Sequence, residues 1–381
     1  MIHAKSSAAP ARLQAAGGVR TLNFDASAPL QLANGDTLSP FTIGFETYGA
    51  LNSDASNAVL VCAGLGDDQF AASPNPVTGR PAWWPRIVGP GRPIDTNRFY
   101  VICTDTLGGW TGSSGPASIA PDGQPFGMRF PAISIADMVR AQSMLVEALG
   151  ISSLFLATGV GLGGMQVLQW ASAYPKRVFA CAPIATAARR SAQNAAMHEL
   201  GRQAIMADPD WRNGDYATQA ARPAKGLSVA RLAAQIANDG APDFTARFDR
   251  LASGAEKFED ENEINRPHAR FDANSFLYLT RALDHFDLGQ DFGGDLANAF
   301  RGAAARTCVF SFSSDWRYPP AASREIVRAL IAAGADASSA EIESGNGHNA
   351  YARNEPAFEA ALTGFIDSAA AARGLALSGV A

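Results

Sequence analysis

The chain has 381 residues, 47% of them hydrophobic and 18% charged, with 36 Gly and 22 Pro. That apolar fraction excludes a disordered chain, and at about 150 residues per domain the length corresponds to roughly two to three domain-sized units. A net charge of −5 excludes a broad basic footprint for nucleic acid. No apolar run reaches the ~20 residues of a membrane helix, and Met1–Arg20 is Ala/Ser-rich without the continuous apolar stretch of a secretory signal. A soluble, cytoplasmic protein is expected, with no nucleic-acid or membrane partner.

From about residue 40, strand-like and helical runs alternate. The strand-like runs are Thr42–Tyr48, Ala58–Cys62, Phe99–Thr104, Leu154–Thr158, Val178–Ile184, Thr307–Phe312 and Ala340–Glu343. Most are continuous apolar stretches, the pattern of parallel strands covered on both faces. Ser134–Asp137 predicts a capping box opening a helix that runs to about Leu149 and ends at Gly150. Gly163–Tyr174 predicts a second helix, stopped before Pro175; Pro319–Gly334 and Pro356–Ala372 predict two more. This alternation implies a parallel α/β sheet. From about Thr186 to Ala303 the rhythm breaks into helical periodicity with many charges, read as a helical cap over the C-terminal edge of the sheet, where open α/β sheets bind ligands. The expected division is an N-terminal extension over 1–38, partly disordered, a core over 39–186 and 304–375, and a helical lid over 187–303.

Cys62, Cys103, Cys181 and Cys308 all lie in apolar runs and read as small buried hydrophobes. No Cys or Cys/His spacing suits zinc, so no metal site is expected. His3, His198, His268 and His285 read as tail, surface or packing residues. His348 stands apart, in the loop GNGHNAY directly after a strand-like run.

The sharpest local signal is Leu154–Gln166, an apolar strand, a glycine-dense turn and then a helix. Two chemistries use that layout. The dinucleotide fingerprint G-x-G-x-x-G is satisfied by Gly159, Gly161 and Gly164, but no acidic residue for the ribose follows near Cys181–Thr186, and several strands precede the motif. The nucleophile elbow G-x-S-x-G presents a side chain at a helix N-terminus, and its partners follow downstream in order: Asp315 at the end of one strand, His348 after the next. Each alone has a bland reading, Asp315 as a helix cap and His348 as a polar loop residue. Their order and positions at strand ends favour the elbow.

The segments FETYGALNSDASNAVLVC, GPGRPIDTNRFYVICTDTLGG, FPAISIADMVRAQ, GGMQVLQWASAYPKRV, RQAIMADPDW, FLYLTRALDHFDL, SSDWRYPP and GHNAY together resemble the homoserine O-acetyltransferase family of α/β-hydrolase-fold acyltransferases, over roughly residues 40–370. The resemblance implies an α/β-hydrolase fold, a mostly parallel central sheet flanked by helices with an inserted helical lid, and dimerisation through that lid. It implies no bound cofactor, acyl-CoA as a co-substrate, and O-acylation of a homoserine- or serine-type hydroxyl through an acyl-enzyme. By motif, Asp315 and His348 match the acid and base, and Arg202 in RQAI matches the arginine that grips the carboxylate of a small substrate. The backbone N–H groups of Leu65 and Leu162 are the candidate oxyanion donors.

The departures fall where the chemistry is. The family's GGSMGG reads here Gly159-Val160-Gly161-Leu162-Gly163-Gly164, so the nucleophile position is Gly161, which has no side chain to acylate. The family's CHALTG reads Cys62-Ala63-Gly64-Leu65-Gly66-Asp67, and its GHDAF reads Gly347-His348-Asn349-Ala350-Tyr351. Thr158 is expected to stay in its strand pointing elsewhere, Cys62 to pack in the sheet, and Ser113 and Ser114 to lie in a Gly-rich loop. Asp67 and Asp68 are loop acids that either enter the pocket or are solvated. Three readings stay open: acyl transfer driven by the His348–Asp315 pair, a hydrolase or lyase with a changed substrate, and a ligand-binding pseudoenzyme.

Overall fold

The computed structural model describes residues 11–219, 222–241 and 271–375, with isolated positions 245, 249 and 253. Nine strands form one sheet: β1 (Ala11–Ala16), β2 (Val19–Phe24), β3 (Phe41–Tyr48), β4 (Ala58–Cys62), β5 (Tyr100–Thr104), β6 (Leu154–Val160), β7 (Val178–Ile184), β8 (Arg306–Phe312) and β9 (Ala337–Ile342). Their spatial order is β1-β2-β3-β5-β4-β6-β7-β8-β9. The six strands from β5 to β9 pair in parallel, and β1, β2 and β3 add an antiparallel edge. This is the α/β-hydrolase architecture, a mostly parallel sheet flanked by helices.

The continuous apolar runs have a direct explanation in β4. Ala58, Leu60 and Cys62 enter the core on one face, while Val59 and Val61 enter the core on the other. On the first face lie α1 (Ile135–Ala148), α2 (Leu162–Ala173) and α6 (Pro320–Ala332), contributing Leu145, Trp170 and Ile326. On the second lies α7 (Pro356–Arg373), contributing Phe358, Leu362 and Ile366. A strand with no solvent face has no reason to alternate. The predicted capping box is present: the Ser134 hydroxyl accepts from Asp137 N–H, and the Asp137 carboxylate accepts from Ser134 N–H at 2.8 Å.

Two expectations need correction. The N-terminal extension is not separate from the core from residue 11 onward, because β1 and β2 form a hairpin that pairs through β2 with β3. Leu22 and Phe24 are buried there, and the Phe24 ring stacks on Phe41 at 4.5 Å. The last strand begins at Ala337 rather than Ala340. It is an edge strand whose Ser338, Ser339 and Glu341 are exposed, so hydrophobicity does not mark its start.

Between β7 and β8 run α3 (Ala192–Ala207), α4 (Ala224–Asn238) and α5 (Ala273–Asp284). Ile205, Leu227, Ala230, Phe276 and Leu277 pack into a small core of their own. Leu279, Ala282 and Leu283 of α5 join the main core instead, so that helix fastens the inserted segment to the sheet. No helix among the described residues is long and apolar enough to cross a membrane.

Candidate active site

The parallel strands end together, and the loops that follow them converge beneath α4 and α5. After β6 the chain turns sharply at Gly161 into α2, with φ +54° and ψ −110°. Only glycine adopts that conformation without strain. Two features hold the turn. Thr186, after β7, donates its hydroxyl to the Gly161 carbonyl at 2.7 Å. Gly163 permits close packing: a Cβ there would stand 2.2 Å from the Cys62 carbonyl oxygen.

Asp315 follows β8 and His348 follows β9. One Asp315 oxygen accepts His348 Nδ1–H at 2.8 Å, and the other accepts Tyr318 N–H at 2.9 Å. Both side chains are buried. The pairing at Nδ1 fixes the tautomer and leaves Nε2 as the acceptor. Nε2 faces the turn: a Cβ built on Gly161 would lie 3.3 Å from it and 3.6 Å from a ring carbon of Tyr318. The fold therefore brings His348, Asp315 and the Gly161 turn together, with open space where a side chain at 161 would stand.

Gly161, His348 and Tyr318 line a small cavity of about 40 Å³ with Leu65, Leu162, Asp67, Arg317 and Tyr351, while Asp315 lies behind His348. Leu162 is the first residue of α2, and the first amides of a helix have no acceptor within it. Leu65 belongs to the loop after β4. Gln166 of α2 donates to the Ala63 carbonyl at 3.2 Å and accepts from Gln142 of α1 at 2.5 Å, tying that loop to both helices. Asp67 does enter the cavity, whereas Asp68 turns back to accept from Asn75 Nδ2 and Phe70 N–H at 2.9 Å each. A Cβ on Gly64 would come within 2.9 Å of an Asp67 carboxylate oxygen. The two departures from the CHALTG pattern, alanine to Gly64 and glycine to Asp67, are thus sterically coupled: the smaller residue makes room for the acid.

The alternative nucleophiles are engaged elsewhere. Thr158 donates its hydroxyl to the Ala182 carbonyl at 2.9 Å. Cys62 is fully buried in β4, and burial pushes its thiol far up from the ordinary range. The Ser113 hydroxyl donates to the Asp105 carbonyl at 3.0 Å, and the Ser114 hydroxyl accepts from Thr42 N–H at 2.9 Å. None of the four lines the cavity. Below them Asp105, raised by burial to about 7, accepts Ser113 N–H at 2.9 Å and Thr111 N–H at 3.2 Å, holding that loop.

Arg202 is not among the cavity residues. Its guanidinium is paired with Asp284 at 2.6 Å and with Glu199 at 2.8 Å. The guanidinium that reaches the cavity is Arg317. His198, read from the sequence as a surface or packing residue, is a member of this buried network: its Nδ1 meets Asp284 at 2.7 Å. No sequence signal finds it, because the pairing joins α3 to α5 across 86 positions. His285, by contrast, is exposed, and its ring bonds the Arg281 carbonyl at 2.7 Å. His3 and His268 lie outside the described residues.

Comparison with known proteins identifies the lineage. The α/β hydrolase fold family matches residues 57–354. A homoserine O-acetyltransferase of Caulobacter vibrioides (strain NA1000 / CB15N) is 52% identical over 374 residues, covering 95% of this chain and 97% of that protein. The chain belongs to the homoserine O-acetyltransferase family. Within solved structures, a homoserine O-acetyltransferase from Bacillus anthracis superposes with a TM-score of 0.77 at 29% identity, covering 92% of this chain and 98% of that one. The esterase E22 superposes with a TM-score of 0.81 at 28% identity, covering 91% of this chain and 99% of that one. The family is one of acyl-transferring enzymes, and this member has glycine where the elbow pattern has serine.

Proposed function

We propose that this protein transfers an acyl group from an acyl-CoA to the hydroxyl of a homoserine- or serine-type acceptor directly, without an acyl-enzyme. The observation that carries the reading is the preserved elbow conformation at Gly161, whose absent Cβ would stand 3.3 Å from His348 Nε2. The acceptor's own oxygen fills the space that a serine hydroxyl would occupy. His348 Nε2 takes the hydroxyl proton as that oxygen attacks the thioester carbonyl. Asp315 steadies the imidazolium, and the N–H groups of Leu65 and Leu162 hold the tetrahedral oxyanion. As the C–S bond breaks, the imidazolium returns its proton to the departing thiolate. The ester and free CoA leave together.

A direct displacement needs both substrates bound at once. Initial rates of CoA-thiol release, with acetyl- or succinyl-CoA varied against homoserine or serine, are expected to give intersecting double-reciprocal lines. Parallel lines, or turnover that survives His348→Ala, would refute the mechanism. The similarity to an esterase supports a second reading, in which water takes the acceptor's seat and the product is the free acid. CoA release that does not require an acceptor would establish it, and silence with every donor would point to a binding protein. The reading also includes cytoplasmic location and, from the family resemblance, a homodimer formed through the inserted helices, which light scattering in solution tests.

A further inference from the structure

Glycine at 161 leaves open space at the reacting end of the base. The atoms nearest to a Cβ built there are His348 Nε2 at 3.3 Å, His348 Cε1 at 3.5 Å and Tyr318 Cε2 at 3.6 Å. With a carbon–carbon bond of about 1.5 Å, Gly161 Cα and His348 Nε2 stand at most about 4.8 Å apart. An oxygen hydrogen-bonded to Nε2 at about 2.8 Å therefore lies beside the line joining them, within the cavity. Asp315 holds Nδ1, so Nε2 is the nitrogen that accepts. The cavity measures about 40 Å³, and one water needs roughly 10–15 Å³, so it holds about three waters. Asp67 and Arg317 stand in its lining beside His348, and a polar cavity holds hydroxylic molecules rather than hydrocarbon. Room of that size admits the CH2OH end of an acceptor and excludes a carbinol carrying several branches.

We propose that the space over Gly161 is a hydroxymethyl seat, which takes unbranched primary alcohols down to methanol as acyl acceptors. The seat rests on the direct-displacement reading above and extends it to acceptors with no amino-acid groups. Methanol gives its hydroxyl proton to His348 Nε2 while its oxygen bonds to the thioester carbonyl carbon. The C–S bond then breaks, and the imidazolium returns the proton to sulfur. Acetyl-CoA and methanol thus become methyl acetate and CoA. Recognition is by size and one hydrogen bond. A serine at this position would close the seat with its own side chain, so the activity belongs to the glycine.

The test uses the intact protein with two donors, acetyl-CoA and p-nitrophenyl acetate, the second being independent of CoA recognition. Methanol, ethanol, 2-propanol and 2,2-dimethylpropanol are the acceptors, and gas chromatography measures ester against free acetate. The same mixtures with imidazole in place of protein give the ratio set by intrinsic reactivity. For methanol and ethanol the wild type is expected to exceed that ratio at least ~10-fold, as a positioned acceptor requires. The two branched alcohols should stay within about threefold of it, because a misfitting carbon group costs about tenfold or more. Gly161→Ala puts a methyl group where the oxygen sits and is expected to abolish the excess. Should that variant fail to fold, the alcohol series in the wild type and the loss of ester in His348→Ala decide instead. Silence with both donors, no excess ester, an equal excess with 2,2-dimethylpropanol, or a folded Gly161→Ala that keeps the excess each overturns the seat. Methanol esterified while homoserine and serine are not leaves the seat standing and removes the amino-acid reading. Homoserine esterified without discrimination among the small alcohols does the reverse.

Discussion

Gly161→Ser is the most informative single change in this protein. The structure sets its two effects in opposite directions. At φ +54° a side chain carries left-handed backbone strain of about 1–3 kcal/mol. At roughly 2–4 °C per kcal/mol, Tm should fall by roughly 2–12 °C. The contacts themselves add little. The new Cβ stands 3.3 Å from His348 Nε2 and 3.6 Å from Tyr318, so the imidazole gives way by a few tenths of an ångström at most. From that Cβ the hydroxyl lies one bond further, within hydrogen-bond reach of Nε2. A less stable protein should thus acquire a nucleophile already aligned with its base and with the Leu162 amide. Incubation with acetyl-CoA followed by intact-protein mass spectrometry should detect an acetyl-enzyme in Gly161→Ser, and none in the wild type or in Gly161→Ser/His348→Ala. A folded Gly161→Ser that never acylates would refute the premise that elbow, base and oxyanion donors are pre-arranged. A variant more stable than the wild type would refute the strain argument.

Removing the base by His348→Ala should lower any wild-type turnover about 10²–10⁴-fold, with the far-UV spectrum unchanged. Asp315→Asn should lower turnover with little change in KM, because it disturbs the imidazole tautomer rather than binding. Gly64→Ala should destabilise by about 1–3 kcal/mol through its contacts with the Asp67 carboxylate and the Val160 carbonyl, and Asp67→Gly should relieve the first part of that cost. Denaturant melts of the two single variants and the double variant measure the coupling, and simple additivity would sink the steric account. Asp105 has its folded pKa raised from 3.8 to about 7, so its stabilising contribution is complete below 3.8 and lost as pH rises through about 7. Between about pH 5 and 8, wild type should lose roughly 2–3 kcal/mol relative to Asp105→Asn. A pH-independent difference would count against a buried, protonated carboxyl.

The sequence alone determined the sheet and placed Gly161, Asp315 and His348 in order along the chain. Strands buried on both faces write themselves as unbroken apolar runs, as Ala58–Cys62 and Val178–Ile184 do, and their ends matched the structure residue for residue. The capping box at Ser134 is a local device and was equally legible. Asp315 and His348 were singled out because each follows a strand-like run, and the structure pairs them at 2.8 Å. Strands without a fully buried face were harder. The hairpin over Ala11–Phe24 and the start of the last strand at Ala337 carry mixed polar residues, and pairing with neighbours decides them. The cavity itself was written nowhere in the chain. That Asp67 enters it while Asp68 does not depends on one turn of loop. That Arg202 is paired with Asp284, outside the cavity, depends on helices joined across 82 positions. Residue type and local spacing are properties of neighbouring residues, whereas charge compensation and access to a cavity belong to groups that only folding brings together.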